Sequence, residues 1–258
     1  MKRLIIIFVG LCVVFRLLHA EDKIQPKGYS IPTIDLSRQA HRQVVVDREK
    51  GQYLGHPTTV LLEDDKTMLA VYPKGHGRGG IVYKRSNDGG LTWSSRLPTP
   101  KNWETSREVP TIHRVIDAQG KKRLIMWSGL YPARLAISDN DGDSWSDLKP
   151  VGDWGGIVVM GCLEQLKTGE GNYMAMFHDD GRFFKGAMKR ENNPVFTLYK
   201  TFSKDGGLTW SYPEAILARS DVHLCEPGII RSPDGKQLCV LLRENARRRN
   251  SFVIFSSD

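Results

Sequence analysis

Cysteine, metal-ligand spacing and helical periodicity are what this chain of 258 residues most conspicuously lacks. It has 4 cysteines, and Cys12 falls in the apolar N-terminal run, which leaves Cys162, Cys225 and Cys239. At most one pair can form among these, so a disulfide-stapled scaffold is excluded. No C-x-x-C, H-E-x-x-H or EF-hand spacing occurs, and no metal site or cofactor is assigned. No stretch sustains the 3.6-residue apolar period of a long amphipathic helix. Basic and aromatic residues are not interleaved on one face, so nucleic acid is not an expected partner. The apolar run at residues 4–15 is too short for a comfortable membrane span.

That run follows Lys2 and Arg3 and leads to Leu18-His19-Ala20 before Glu21-Asp22, the layout of a secretory signal peptide cleaved after Ala20. Export from the cytoplasm, to a periplasm or beyond the cell, is the expectation. Loss of residues 1–20 lowers the net charge from +8 to +5, which suits an anionic ligand without demanding one. Residues 21–50 are polar, carry Pro26 and Pro32, and read as an N-terminal leader segment.

From about Gln52 onward, short apolar runs alternate with turn signals, the texture of an all-β chain. Ser86-Asn87-Asp88-Gly89-Gly90-Leu91-Thr92-Trp93 returns with one change of residue type as Ser203-Lys204-Asp205-Gly206-Gly207-Leu208-Thr209-Trp210. A looser copy runs from Ser138 to Trp145, with Asn140 in the Asp position and Ser144 in the Thr position, and Ser256-Ser257-Asp258 begins a fourth. An Asp or Asn two residues before Gly makes a self-bonded turn, Gly supplies the positive φ, and Trp pins the turn to its sheet. Each octamer therefore reads as a hairpin turn rather than as chemistry.

The octamers start at 86, 138, 203 and 256, in steps of 52, 65 and 53 residues. Upstream of each lie two apolar strands joined by a polar turn, so each unit reads strand A, strand B, strand C, octamer, strand D. A period near fifty residues with four strands per unit predicts propeller blades. The third unit is longer and is expected to hold an insertion near residues 181–193. In this topology the octamers lie on one face, and the loops before strand A and between strands B and C lie on the other. Small ligands bind where such loops converge, so the charged residues of that second face form the shortlist.

The octamers resemble the Asp-box repeats of the sialidase (neuraminidase) superfamily, and the resemblance covers about residues 52–258. It implies an all-β, six-bladed propeller of which about four blades are present in residues 51–258. It further implies a glycoside hydrolase that removes a terminal, acidic sugar from a glycan. The family site is an arginine triad that clamps the sugar carboxylate, an Asp acid/base, and a Tyr nucleophile activated by a Glu. Glu226-Pro227-Gly228-Ile229-Ile230 matches the start of the strand that carries the Glu. Leu241-Leu242-Arg243 matches the end of the next strand, which carries a triad arginine. The resemblance thus makes Glu226 the catalytic partner of a tyrosine and Arg243 a substrate-binding arginine.

Elsewhere the pattern departs. The first inner strand of the family opens with an aromatic-Arg-Ile-Pro motif, but here it reads Tyr53-Leu54-Gly55-His56-Pro57, with Gly55 in the arginine position. The loop after strand B, residues 73–80, has Lys74, His76 and Arg78 but no carboxylate. Lys74, His76, Arg78 and His56 are carried forward as substrate-binding candidates, with His56 or His76 as a substitute acid/base. Glu108 and Asp179 are further loop-face carboxylate candidates. Four blades do not close a six-bladed ring, so an open apolar face and self-association are expected. The alternative to hydrolysis is a carbohydrate-binding propeller without turnover; a third reading keeps an enzyme but gives it a neutral glycan. Oligomeric state stays open.

Overall fold

The computed structural model describes residues 34–187 and 195–257. The signal-peptide reading, residues 21–33 of the leader segment, and residues 188–194 and 258 lie outside this description. The chain divides into two compact units, Met1–Gln43 and Val44–Asp258. In the first, a short 3-10 turn spans Ala40–Arg42, and the Gln43 side-chain amide donates to the Leu36 carbonyl at 3.0 Å. No helix among the described residues is long and apolar enough to cross a membrane.

The second unit is built from antiparallel sheets. The first holds β1 (Thr58–Leu61), β2 (Met68–Pro73) and β3 (Ile81–Ser86) in chain order. The second holds β4 (Thr111–Ile116), β5 (Lys122–Ser128), β6 (Arg134–Ser138) and β7 (Lys149–Pro150). The third holds β8 (Met160–Gln165), β9 (Tyr173–Asp179), β10 (Thr197–Ser203) and β11 (Glu214–Ala218). The fourth holds β12 (Leu224–Arg231), β13 (Gln237–Glu244) and β14 (Phe252–Ser257). Each sheet is a meander of neighbouring strands, as expected where polar turns of a few residues separate β-branched and aromatic runs. The first sheet has no fourth strand, yet Ser94 N–H donates to the Arg85 carbonyl at 2.8 Å and Leu97 N–H to the Tyr83 carbonyl at 2.9 Å, so the chain continues along β3 after its octamer.

In two sheets the first strand carries a bulge near its start: β8 begins at Met160, and β12 at Leu224, two residues before Glu226. Both strands contain a register shift, between Met160 and Cys162 and between Cys225 and Gly228. A bulge breaks the apolar alternation locally, so the pattern hides the first turn of pairing.

The first and third octamers close by the same three bonds; the second repeats the bonds to Ser138 Oγ at 2.9 Å and Asn140 Oδ1 at 3.0 Å, but its Trp145 Nε1 has no partner. In the first, Gly90 N–H donates to Ser86 Oγ at 2.8 Å, Thr92 N–H to Asp88 Oδ1 at 2.8 Å, and Trp93 Nε1 to the Gly90 carbonyl at 3.0 Å. In the third, the corresponding bonds are Gly207 to Ser203 at 2.8 Å, Thr209 to Asp205 at 3.0 Å, and Trp210 to Gly207 at 2.9 Å. In the second, Asn140 replaces the carboxylate and its amide donates to Ser144 Oγ at 2.9 Å, where Asp would accept. The hydroxyl and amide of Thr92 hold the Asp88 carboxyl down at about 2.

Three apolar clusters lie at the junctions of successive sheets. Leu69, Val71 and Tyr83 meet Leu124, Met126 and Trp103 at the first junction. Val115, Ile125 and Trp127 meet Phe177, Tyr199 and Trp210 at the second. Met174, Met176 and Leu198 meet Leu224, Val240 and Leu242 at the third. Sheets packed face to face in chain order, each buried by the next, are the propeller arrangement. On β13, Leu238, Val240 and Leu242 point into the third junction, while Leu241, with Ile230, Val253 and Phe255 of the neighbouring strands, lies exposed on the opposite face. Cys162, Cys225 and Cys239 are free thiols, and burial pushes Cys162 and Cys225 up to about 12.

Candidate functional site

Antiparallel pairing puts the start of β1, the end of β2 and the start of β3 at one end of the first sheet, and the same holds for the other sheets. The octamers, which follow β3, β6 and β10, sit at the far end. The loop end holds a cavity of about 500 Å³ to which all four sheets contribute. His56, His76 and Gly77 come from the first sheet and its loops, Glu108 and Thr111 from the second, Val158 to Gly161 from the approach to β8, and Glu226 and Arg243 from the fourth.

Glu226 sits on the bulge of β12 with a φ of 49°. A non-glycine residue in this region is uncommon, and such residues cluster where a side chain must be re-aimed. Across the ladder Cys225 pairs with Arg243, and Arg243 Nη1 donates to Glu226 Oε1 at 2.6 Å. Both side chains are about half exposed, at 49% for Glu226 and 42% for Arg243, so the pair is open to a ligand. The carboxylate raises the Arg243 guanidinium further above its ordinary range. Among the described residues, Arg243 is the side-chain partner of Glu226, and no tyrosine bonds to it.

Glu108 enters from the loop before β4. Its Oε1 accepts the Val109 N–H at 3.0 Å and lies against Gly77, where a Cβ would come within 2.6 Å of that oxygen. The absence of a side chain at position 77 therefore makes room for the carboxyl. Burial pushes the Glu108 carboxyl up, the negative charge of Glu226 adds to this, and Val109 N–H and Arg78 oppose it. Two carboxyl groups face one cavity in different environments: one is half exposed and ion-paired, the other is desolvated. Two carboxyls in such unlike surroundings are suited to divide acid and base roles.

His56 has a φ of 53°, and its Nε2 lies 3.2 Å from His76 Nδ1. The rings meet edge to face at 4.5 Å on the cavity wall. Arg78 acts on Glu108 through its charge but does not line the cavity. Lys74 lies outside it, with Nζ 4.0 Å from Glu49 Oε2. A Cβ at Gly55 would fall 2.1 Å from the Tyr53 ring, so that ring covers the place where the family arginine would start.

Two groups stand out here beyond the residues first expected to act. Glu108 was visible as a charged residue just before a strand A, but only burial distinguishes it from Arg107 beside it. The Thr111 hydroxyl is buried in the cavity wall without a protein partner. Asp179 has a different part. It is fully buried and accepts the N–H groups of Gly181 at 2.7 Å, Phe184 at 3.1 Å and Phe183 at 3.2 Å, which shapes the long loop after β9.

No protein-family model matches this chain, and no curated protein does. Solved structures do. A protein of unknown function from Dyadobacter fermentans aligns at a TM-score of 0.58 with 14% identity, over 83% of this chain and 68% of that one. A Hadza microbial sialidase aligns at 0.52 with 16% identity, over 78% of this chain and 44% of its own length, so the chain spans less than half of that protein. An exo-1,5-alpha-L-arabinanase from a bovine ruminal metagenomic library aligns at 0.52 with 12% identity, over 84% and 80%. The chain thus has a sialidase-like β-propeller fold, an architecture that these structures share with it.

Proposed function

We propose that this protein is an exported glycoside hydrolase that removes a terminal, acidic sugar from a glycan at the loop-end cavity. The observation that carries the reading is the pairing of a desolvated Glu108 with an ion-paired Glu226 across a cavity fed by four sheets. Glu108, whose carboxyl burial pushes up, acts as the acid that donates a proton to the glycosidic oxygen as the bond breaks. Glu226, ion-paired with Arg243, stabilises the positive charge that develops on the sugar ring and takes the proton of the attacking water. Thr111 offers its hydroxyl to the sugar. The free edge of the Arg243 guanidinium, with Arg78 behind Glu108, attracts the sugar's acidic group. Residues 1–20, in their signal-peptide reading, support export, and the octamers support the Asp-box relationship.

The test is release of free sialic acid from sialyl-lactose by the purified full chain, alongside sugar release from neutral arabino-oligosaccharides. Sialic acid release that is lost in Glu226→Ala supports the reading in full. Release from the neutral substrate alone keeps the hydrolase and removes the acidic sugar. A second reading, glycan binding without turnover, draws on the Tyr53 ring over Gly55, which leaves the carboxylate clamp without an arginine at that point. Saturable glycan binding with no product from either substrate would replace hydrolysis with that reading.

A further inference from the structure

The bulge in β12 leaves a backbone donor to be accounted for. Between Cys225 and Gly228 the ladder with β13 is interrupted, and Pro227 has no N–H to contribute. The remaining donor, the N–H of Glu226, points out of its own sheet. It bonds to Nδ1 of His178 at 3.2 Å, on β9 of the third sheet. Buried backbone donors are almost always satisfied, and here the partner is a side chain from another sheet.

The surroundings of His178 suit that task. The imidazole is buried and lies parallel to the Phe196 ring, with a centroid separation of 6.0 Å and an interplanar angle of 6°. Phe196 in turn stacks on His223 at 4.6 Å and 10°. This three-ring stack sets the plane of the imidazole and hence the direction of its Nδ1 lone pair. To accept the Glu226 N–H, Nδ1 must be unprotonated, so the neutral ring carries its proton on Nε2. Burial pushes the imidazole down to about 4 and Arg243 pushes the same way, against the pull of Glu226 and Asp180. The acceptor form is therefore the one present at neutral pH.

We propose that His178 is a positioning residue: by accepting the Glu226 N–H it holds the left-handed bulge that aims the Glu226 carboxylate into the cavity and onto Arg243. This deepens the hydrolase reading and, in its catalytic part, rests on it. The strain at Glu226, with its φ of 49°, persists because a rigid acceptor in the next sheet fixes it. The orientation of the reacting carboxylate thus depends on the junction between two sheets and not on the loop alone.

The test compares His178→Asn, His178→Gln and His178→Leu in the full chain. The Asn carboxamide oxygen falls near the position of Nδ1, whereas the Gln oxygen reaches toward Nε2. In His178→Leu the Glu226 amide exchanges faster by at least about tenfold, and kcat falls by about tenfold with KM changed less than about twofold. His178→Asn restores amide protection and kcat, and His178→Gln does not. Should His178→Leu fail to fold, the Asn and Gln variants carry the comparison. In the wild type, the Nδ1 nitrogen resonance of His178 at neutral pH is that of an unprotonated acceptor. Unchanged Glu226 exchange in His178→Leu, equal behaviour of Asn and Gln, or a protonated Nδ1 would overturn the proposal. Amide exchange needs no substrate, so a wild type without turnover would remove the hydrolase reading while exchange still decided the positioning.

Discussion

The first and third octamers differ in residue type at one position, but their tryptophans should not be worth the same. Trp93 and Trp210 make the same indole hydrogen bond, to the Gly90 carbonyl at 3.0 Å and the Gly207 carbonyl at 2.9 Å. Truncation to Ala removes that bond in both, so it cancels from the comparison. What differs is the other side of the ring. Trp210 is buried and meets Trp127 of the second sheet edge to face at 5.2 Å. Its octamer also presses Gly207 onto Val115 and Ile125, where a Cβ would come within 3.2 Å of each. Trp93 is half-buried, and its nearby glycine, Gly90, meets only Met68 and Trp93 of its own sheet. A fully buried tryptophan costs about 3–5 kcal/mol when cut to Ala. A half-buried ring without an aromatic partner costs about 1–2 kcal/mol on burial alone. Urea unfolding followed by far-ultraviolet circular dichroism measures both without relying on tryptophan emission. Trp210→Ala should lose at least about 1.5 kcal/mol more than Trp93→Ala, which is several degrees in Tm for a unit of this size. Equal losses, or a larger loss at Trp93, would refute the claim that the octamers act through the junctions between sheets.

Gly142 has a φ of 85°, and a Cβ there would fall 2.3 Å from the Tyr83 hydroxyl and 2.8 Å from Leu69, whereas Gly120, with a φ of 79°, has open space around it. Gly142→Ala should therefore cost about 2–4 kcal/mol in thermal unfolding, against about 1 kcal/mol for Gly120→Ala. On the hydrolase reading, the basic limb of the pH–rate profile should belong to Glu108, with activity holding while its carboxyl is protonated and declining as pH rises through its raised pKa. With an aryl glycoside that needs no leaving-group protonation, Glu108→Gln should retain turnover and lose that limb; an unchanged limb would assign it to another group. His178 is depressed to about 4 when folded, against an ordinary 6.5, so the unfolded chain binds its proton first as pH falls. Stability from this group is whole above about pH 6.5 and is lost on the way down to pH 4, so the wild type should lose about 3 kcal/mol more than His178→Asn between pH 7 and pH 4 in chemical unfolding.

Much of the architecture could be read from residue order alone because its causes are local. An Asp or Asn before Gly, a hydroxyl two places after that Gly and a Trp beyond it close a turn with whatever strands are attached. The hydrogen bonds of Asp88, Asn140 and Asp205 repeat accordingly. The spacing of those turns predicts units of antiparallel strands, and these appear as meanders in chain order. The same spacing places the loops at the end away from the octamers, and there Glu226, Arg243, His56 and His76 line the cavity.

What residue order could not supply was the set of partners. Glu226 and Arg243 are 17 residues apart, and they meet because a bulge shifts the register and turns Glu226 to a φ of 49°. Glu108 acquires its raised pKa from burial against Gly77, a residue of another sheet's loop. Lys74 shares a loop with His76, yet it turns to Glu49 and leaves the cavity. His178 reads as an unremarkable strand residue until the neighbouring sheet presents it with an unpaired amide. Local turn chemistry and apolar period act within a few residues, so the sequence by itself determined the turns, the strands and the end of the sheets where a site forms. Desolvation, register and backbone-donor accounting depend on neighbours well beyond the local turn, from 17 residues away for Arg243 and Glu226 to 48 for His178 and Glu226, so only the packing of strand on strand and sheet on sheet decided which carboxyl is desolvated, which is ion-paired, and what holds it in place.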